Sequence, residues 1–173
     1  LYLKKNLVLT GMMGVGKSTV GKKLSKKLQI KFVDIDKFIE KKENYSIQDI
    51  FKNKGEDYFR KIEKKITLEI LKKNNLVIAL GGGSFMDNLI RKEINNSSIS
   101  FWIDLKIESI IPRLKNVKKR PLLNQDNLKE SMNKIYLERK KIYNEANFRI
   151  RCNSMNVDEI VIKIIKLYEN AGN

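Results

Sequence analysis

The sequence predicts an α/β domain of three layers, with helices on both faces of a parallel sheet of about five strands. Two observations predict this fold class. Short apolar runs alternate with amphipathic segments along the whole chain, and the uncharged run LVIAL at 76–80 is typical of a strand buried on both faces. The chain has 173 residues with no internal repeat or linker, so we expect one domain over 1–173.

The spacing of apolar residues predicts elements in the order β-α-β-α-α-β-α-β-α-loop-α-β-α. Gly55 is expected to separate the second predicted helix from the third, because glycine commonly ends a helix. The predicted strands are 6–10, 30–35, 76–80, 99–103 and 148–152. The predicted helices are 17–28, 46–54, 56–73, 107–114, 128–143 and 158–168, with one more between the third and fourth strands.

The composition excludes several classes of enzyme before any motif is considered. The chain contains no His, one Cys and two Pro. Without His there is no Ser-His-Asp or Cys-His catalysis and no His-ligated metal site, so acid–base chemistry falls to Asp, Glu or Lys. A lone cysteine, Cys152, cannot form an intrachain disulfide, and no run suits a membrane helix or a signal peptide. We therefore expect a cytoplasmic protein.

The net charge of +16 at pH 7 resembles that of a protein with a nucleic-acid or membrane partner. Of the 36 basic residues, however, 29 are Lys and only 7 are Arg. Lys is favoured by AT-rich codons, so we interpret most of the charge as compositional and expect no nucleic-acid and no membrane partner. A functional basic surface is the alternative. The arginines are more informative, because only a guanidinium grips a carboxylate or phosphate with two parallel hydrogen bonds.

The most specific motif is a glycine-rich loop between the first predicted strand and helix. GMMGVGKS at 11–18 fits GxxxxGK[ST], in which backbone N–H groups cradle polyphosphate at a helix N-terminus. The Lys of such a loop reaches the β- and γ-phosphates, and the Ser hydroxyl ligates Mg²⁺. The alternative is a turn that binds nothing. The predicted ATP-binding residues of the loop are Gly14, Val15, Gly16, Lys17, Ser18 and Thr19.

Two carboxylates follow the second predicted strand. Asp34 and Asp36 are one residue apart, so on a strand their side chains point to the same side. Beside a phosphate loop, one carboxylate can help to hold Mg²⁺ with its waters, and the other can accept a proton from a hydroxyl nucleophile. The alternative is a simple junction at which Asp36 caps a helix that begins near Lys37.

Five further motifs follow the loop: FVDID at 32–36, GEDYFRKIE at 55–63, ALGGGS at 79–84, RPLL at 120–123 and ERKKIY at 138–143. Together with the loop, and in this order and approximate spacing, they resemble the shikimate kinase family, ATP-dependent kinases of the aromatic-amino-acid pathway. The resemblance covers nearly the whole chain. It implies a three-layer P-loop kinase with a substrate-binding helical segment over 35–63 and a mobile lid over 113–126.

The resemblance also implies the catalytic and nucleotide-binding residues. Lys17 and Arg120 match residues that neutralise charge during phosphoryl transfer, and Arg120 would lie on the lid. Asp36 matches the favoured base and binds the substrate hydroxyls, whereas Asp34 matches the residue associated with the Mg²⁺ water shell. Arg113 matches a position near the adenine.

The substrate-binding residues follow in the same way. Arg60 and Arg139 match the two arginines that grip the substrate carboxylate, and Glu63 is placed to orient Arg60. Gly82 matches the middle glycine, which offers a backbone N–H to the ring substituents, and Gly82 and Gly83 have no side chains to keep the ring from the backbone. The other arginines have no matched role and are expected on the solvated surface or at the sheet edge; they are Arg91, Arg149 and Arg151.

The function expected on this basis is transfer of the γ-phosphate of ATP to the 3-hydroxyl of shikimate, giving shikimate 3-phosphate and ADP. The expected cofactor is Mg²⁺, the partners are the small molecules shikimate and ATP, and a monomer is expected. A related small-molecule kinase, such as a gluconate kinase or a nucleoside-monophosphate kinase, is the alternative. A nucleotide-dependent RNA-binding protein is the alternative from another class, and it rests on the positive charge alone.

Overall fold

The computed structural model describes residues 5–114, 121–123 and 127–171. The strands are β1 (Asn6–Thr10), β2 (Lys31–Asp34), β3 (Leu76–Ala79), β4 (Ser98–Asp104) and β5 (Phe148–Arg151). The helices are α1 (Lys17–Leu28), α2 (Ile35–Glu43), α3 (Ile47–Leu71), α4 (Asn88–Ser97), α5 (Ile107–Ile110), α6 (Leu128–Tyr143) and α7 (Val157–Ala171). Two short 3-10 turns follow β3 and α5, at Ser84–Met86 and Ile111–Arg113.

The strands form one parallel sheet in the order β2-β3-β1-β4-β5. The central strands β1, β3 and β4 are buried along their whole length, and β1 and β3 have the uncharged sequences that this burial requires. Leu7 of β1 lies opposite Val77 on one side and Ile99 on the other. Helix α1 packs against α7, and α3 packs against α4. The predicted three-layer α/β/α fold with a parallel sheet is confirmed.

The sheet order determines where a ligand can bind. Strand β1 lies between β3 and β4, so successive connections leave it in opposite directions and open a crevice at the carboxyl edge of the sheet. At this edge β1 leads into the glycine-rich loop, β2 into the two aspartates and β3 into the triple glycine. Three motifs that are far apart in the sequence are therefore brought together by parallel strand pairing.

The junction after β2 differs from the prediction. Helix α2 begins at Ile35, and its N-cap is Asp34, whose Oδ1 accepts a hydrogen bond from the Lys37 N–H across 3.3 Å. Asp36 therefore lies in the first turn of the helix rather than at the end of a strand, and it does not cap the helix. An aspartate at the N-cap satisfies one of the N–H groups that a helix leaves unpaired, and Asp34 is the one positioned to do so.

Helix α3 is bent where the sequence predicts a break. Gly55 has φ 83° and ψ 169°, which is not helical, although the chain is helical on both sides of it. The segments 46–54 and 56–73, predicted as two helices, are the two arms of this bent helix. Positive φ strains any residue with a Cβ, so glycine permits the change of direction between the two arms.

Aromatic side chains fill the core beneath the crevice. Trp102 is 1% exposed and its ring stacks on Tyr143, with centroids 5.8 Å apart. The Arg149 guanidinium lies 4.3 Å from the centre of the Trp102 ring, and its Nη2 is 2.7 Å from Asp104 Oδ2. The sequence predicts Arg149 on the solvated surface or at the sheet edge. It lies on the edge strand β5, where it packs on the tryptophan and pairs with the aspartate.

None of the helices in the described ranges combines the length and the apolar character that a bilayer crossing requires.

Candidate active site

The glycine-rich loop has a backbone that side chains would obstruct. Gly11, Gly14 and Gly16 all have positive φ, at 131°, 78° and 97°. A Cβ on Gly11 would lie 2.5 Å from the Ile103 carbonyl oxygen, and one on Gly14 would lie 2.7 Å from Leu114 Cδ2. Gly16 is the N-cap of α1, so the loop ends where the helix presents its unpaired N–H groups.

Lys17 folds back over this loop. Its Nζ donates hydrogen bonds to the carbonyl oxygens of Gly11, at 2.7 Å, and Met12, at 2.9 Å. The side chain is 9% exposed. The ammonium is therefore held by the loop itself, at the place where phosphate oxygens would meet the backbone N–H groups. Val15 is buried within the fold and Thr19 is exposed on α1.

Ser18 and Asp34 place two oxygen atoms that could ligate a metal ion next to each other, beside the first turn of α1. The Ser18 hydroxyl donates to Asp34 Oδ2 across 2.5 Å. Asp34 reaches this position because it ends β2, the strand beside β3. Within the described residues there is no cluster of three or more acidic or thiol side chains that could hold a metal ion.

A cavity of about 480 Å³ opens beside the loop. Its charged and polar lining includes Ser18, Asp34, Asp36, Arg60 and Arg139. The apolar residues of the lining are Met13, Ile47, Phe51, Phe59, Leu114, Pro121 and Leu122. The other residues of the lining are Lys37, Glu40, Glu63, Gly82, Gly83 and Arg113. The cavity thus joins a nucleotide-type loop and two carboxylates to two guanidinium groups.

Arg60 is held from two sides by acidic residues of the same helix. Its Nη1 donates to Glu63 Oε2 at 2.6 Å, and its Nε and Nη2 both lie 3.1 Å from Glu56 Oε1. Glu63 is 2% exposed, and the Ser84 hydroxyl donates to its Oε1 at 2.6 Å. The buried carboxylate is thus satisfied at both oxygens, and it orients the guanidinium beside the cavity.

The charges around Arg60 keep it protonated. Burial alone would lower the pKa of the guanidinium, but the charge and hydrogen bond of Glu63, and then those of Glu56, outweigh burial and raise the pKa above its ordinary value. A permanently charged, planar donor is the group that best binds a carboxylate in two-point fashion.

The triple glycine after β3 fits closely against the charged side chains. A Cβ on Gly81 would lie 2.4 Å from Glu63 Oε1 and 2.6 Å from Asp36 Oδ1. One on Gly83 would lie 2.6 Å from Arg60 Nη1. At Gly82 the nearest atom would be Met13 N at 3.5 Å, an ordinary van der Waals contact, so a Cβ would clash here less than at either neighbour.

Arg139 reaches the cavity from α6 and is tied to the triple glycine. Its Nη1 donates to the Gly82 carbonyl oxygen at 2.9 Å, and the Tyr143 hydroxyl donates to the same oxygen at 2.5 Å. Sequence reasoning missed Tyr143 as a member of the site. The available signal was its spacing, because a residue four positions after Arg139 lies on the same face of a helix.

Arg91 was also missed. Its Nη1 donates to the carbonyl oxygens of Phe85, at 2.9 Å, and Met86, at 2.8 Å, and its Nε is 2.9 Å from Glu145 Oε2. The side chain is 14% exposed, so the expectation of a solvated Arg91 is wrong. It fastens the turn that follows the triple glycine to the end of α6.

The remaining predicted residues are placed as follows. Arg113 lines the cavity from the 3-10 turn after α5. Arg120 lies outside the described residues, as do the lid positions 115–119 and 124–126. Arg151 is exposed on β5. All described residues predicted to bind the acceptor, Asp36, Arg60, Gly82, Gly83 and Arg139, line one cavity.

Taken together, fold and site define a class. A parallel sheet whose central strand runs into a GxxxxGKS loop is typical of the P-loop nucleotide-binding proteins. An adjoining cavity lined by two aspartates and by arginines suits a P-loop kinase with a small-molecule acceptor. The model of the family described as shikimate kinase matches residues 13–169. The chain belongs to the shikimate kinase family.

Individual relatives agree with this assignment. The shikimate kinase of Sulfurihydrogenibium sp. is 43% identical over 163 residues, covering 93% of this chain and 96% of the relative. That of Persephonella marina is 40% identical over 161 residues, covering 93% and 97%. The structure of shikimate kinase from Acinetobacter baumannii in complex with shikimate matches with a TM-score of 0.92 at 31% identity, over 96% of this chain and 94% of that one.

Membership confirms the resemblance drawn from the motifs. It makes the chain an ATP-dependent kinase, with ATP as the co-substrate and a small molecule as the acceptor. It also favours the shikimate kinase interpretation over the gluconate kinase and nucleoside-monophosphate kinase alternatives.

Proposed function

We propose that this enzyme transfers the γ-phosphoryl group of ATP to the 3-hydroxyl of shikimate, giving shikimate 3-phosphate and ADP. The observation that carries the proposal is that two arginines and an aspartate, Arg60, Arg139 and Asp36, line one cavity beside a phosphate loop. Shikimate is a small cyclic acid with three hydroxyls, so its binding calls for a cationic clamp at one end and an acceptor at the other. The relative from Acinetobacter baumannii is in complex with shikimate.

The clamp holds the carboxylate of the substrate between Arg60 and Arg139. Glu63 fixes Arg60 through a 2.6 Å contact, and the Gly82 carbonyl fixes Arg139 at 2.9 Å. Both guanidinium groups are thus oriented before the substrate arrives, which reduces the entropy lost on binding. Gly82 has no side chain, which lets the ring of the substrate approach the backbone.

The hydroxyl end of the substrate then faces Asp36 and the phosphate loop. The 3-hydroxyl oxygen forms a bond to the γ-phosphorus, the bond from that phosphorus to the β–γ bridging oxygen breaks, and the hydroxyl proton passes to Asp36. Lys17 balances the charge on the transferred group. Its ammonium lies at the loop carbonyls already, so only a short movement brings it to the phosphate oxygens.

Ser18 and Asp34 fit a magnesium ion. Mg²⁺ prefers hard oxygen ligands and usually keeps several waters, taking few protein ligands together with substrate phosphates. A hydroxyl and a carboxylate 2.5 Å apart, without a third acidic ligand among the described residues, match that preference. When bound, the ion would neutralise charge on the β- and γ-phosphates.

The substrate-binding segment over 35–63 and the lid over 113–126 complete the proposal. The segment contributes Asp36, Phe59 and Arg60 to the cavity, and the described part of the lid contributes Arg113 and Pro121. Closure over both substrates would exclude water, so that ATP is not hydrolysed in the absence of an acceptor. Arg120, outside the described residues, is proposed to contact the phosphates from the lid.

A coupled assay of ADP release tests the function directly. Shikimate, quinate, gluconate, AMP and CMP are offered as acceptors at equal concentration, with ATP and Mg²⁺. Release with shikimate alone is the expected result. Release with gluconate or a nucleoside monophosphate, and none with shikimate, would overturn the proposal.

We also propose that the enzyme is a cytoplasmic monomer without a nucleic-acid or membrane partner. The net charge of +16 then serves mainly to attract two anionic substrates. Tight nucleic-acid binding that falls steeply with salt would contradict this part of the proposal.

A further inference from the structure

We propose that Tyr143 is a positioning residue of the acceptor site, whose hydroxyl fixes the Gly82–Gly83 peptide and thereby the N–H group that Gly83 presents to the substrate. The inference rests on the proposed function. It starts from the hydrogen bond that Tyr143 Oη donates to the Gly82 carbonyl oxygen across 2.5 Å, between residues 61 positions apart.

Tyr143 is itself held rigidly. It is 0% exposed, and its ring stacks against those of Trp102 and Phe85, with centroids at 5.8 Å and 6.5 Å. Burial raises the pKa of the phenol, and the opposing charge of Arg139 does not cancel that effect. The hydroxyl therefore stays protonated at physiological pH and acts as a hydrogen-bond donor from a fixed position.

The Gly82 carbonyl receives a second donor from the same helix, Arg139 Nη1 at 2.9 Å. With both bonds in place, the peptide plane cannot rotate without breaking one of them. The described chain contains no cis peptide bond, and in a trans peptide the N–H points opposite to the C=O. The Gly83 N–H is thus directed away from α6, and both glycines line the cavity.

The shared acceptor also links Tyr143 to the carboxylate clamp. Without the phenol, the Gly82 carbonyl depends on Arg139 alone, so the peptide can tilt and the guanidinium is drawn with it. Neither hydrogen bond to this carbonyl comes from Lys17 or Asp36. Loss of the Tyr143 hydroxyl should therefore weaken binding of the acceptor and leave the phosphoryl-transfer step and ATP binding nearly unchanged.

The test compares Tyr143→Phe with a matched control on the same helix, Tyr136→Phe. The Tyr136 hydroxyl donates to Asp104 Oδ1 at 3.3 Å and has no contact with the triple glycine. For Tyr143→Phe we expect KM and the calorimetric Kd for shikimate to rise about tenfold, with kcat and the KM for ATP within about twofold of wild type. The control should leave all four constants unchanged.

A purely structural role for Tyr143 would lower the thermal midpoint and leave KM unchanged. If folded Tyr143→Phe binds shikimate as tightly as wild type does, the inference about Tyr143 is overturned and the proposed function is not affected. If the wild-type enzyme does not bind shikimate, the proposed function is overturned as well. Replacing Tyr143 by 3-fluorotyrosine keeps the ring and strengthens the donor, and covers the case in which the Phe variant does not fold. This variant should bind shikimate at least as tightly as wild type, and a tenfold loss would contradict the inference.

Discussion

Arg60 is fixed from behind by Glu63, whose buried Oε2 accepts a hydrogen bond from Nη1 across 2.6 Å. The other Glu63 oxygen is bound by Ser84, in the turn after the triple glycine. The acidic residue therefore links the helix that carries the clamp to the loop that forms the floor of the cavity. A substitution at Glu63 should therefore affect both substrate binding and the stability of the fold.

Glu63→Gln should damage the clamp without removing Arg60. An amide can keep its oxygen on Arg60 and turn its NH2 group towards the Ser84 hydroxyl, but it removes the negative charge that balances the half-buried guanidinium, at a cost of about 2 kcal/mol in the free energy of unfolding. The KM for shikimate should rise about tenfold in steady-state assays. Glu56→Gln is the matched control, because Glu56 contacts the same arginine from an exposed position; an equal effect in both variants would contradict the account.

Arg60→Ala and Arg139→Ala should chiefly weaken shikimate binding. Removing one partner of a desolvated carboxylate pair costs about 2–5 kcal/mol, which appears as a higher KM for shikimate with little change in the KM for ATP. Arg151→Ala, at an exposed arginine outside the cavity, should behave like wild type. An unchanged shikimate KM in both clamp variants would rule out the clamp.

Gly82→Ala and Gly81→Ala should have different effects. A Cβ at Gly82 meets nothing closer than 3.5 Å, so the variant should unfold at nearly the wild-type temperature, yet its methyl group occupies space that the substrate ring needs. We expect shikimate KM to rise more than about tenfold, from a clash worth at least 1.4 kcal/mol. At Gly81 the added Cβ would lie 2.4 Å from Glu63 Oε1, so this variant should lose stability too, and equal thermal midpoints for the two would contradict the packing.

The thiol of Cys152 should make stability fall at high pH. Burial, together with the nearby Asp104 carboxylate, raises the pKa of the thiol to about 11. A raised pKa in the folded state favours the protonated thiol, so its contribution is complete below the pKa of an unfolded cysteine, about 8.5, and is lost as pH rises towards the folded value. Denaturant unfolding at pH 8 and at pH 11 should show the stability difference between wild type and Cys152→Ala shrinking by about 2 kcal/mol. A difference that does not change with pH would contradict the burial of the thiol.

The parts of the fold that could be predicted are those encoded in local sequence. The five strands, the buried run at 76–80 and the loop at 11–18 depend on neighbouring residues alone, and each lies close to where the sequence places it. Helix α2 is the exception among the elements, because the sequence offered it only as the alternative in which a helix begins near Lys37. The bend at Gly55 belongs to the same class, since a backbone conformation with positive φ leaves a glycine as its signal.

The features that could not be predicted depend on contacts between distant segments, or on which of two equally suitable residues takes a role. Asp34 and Asp36 are both good helix caps, and only the start of α2 decides that Asp34 takes the role. Arg91 and Arg149 look like surface charges in the sequence, but each is half-buried against a partner brought by the fold, Glu145 and Asp104 respectively. The partners in such pairs are far apart in the sequence, so no characteristic spacing predicts that they will meet.

The central claim is that phosphate from ATP is transferred to shikimate. ³¹P NMR of the enzyme with ATP, Mg²⁺ and shikimate tests it directly, because it observes the product rather than ADP alone. We predict that the γ-phosphate signal declines while one phosphomonoester signal, coupled to the proton at C3 of the ring, grows in equal amount. Release of inorganic phosphate without a phosphomonoester, or a phosphomonoester formed on gluconate or CMP but not on shikimate, would contradict the account.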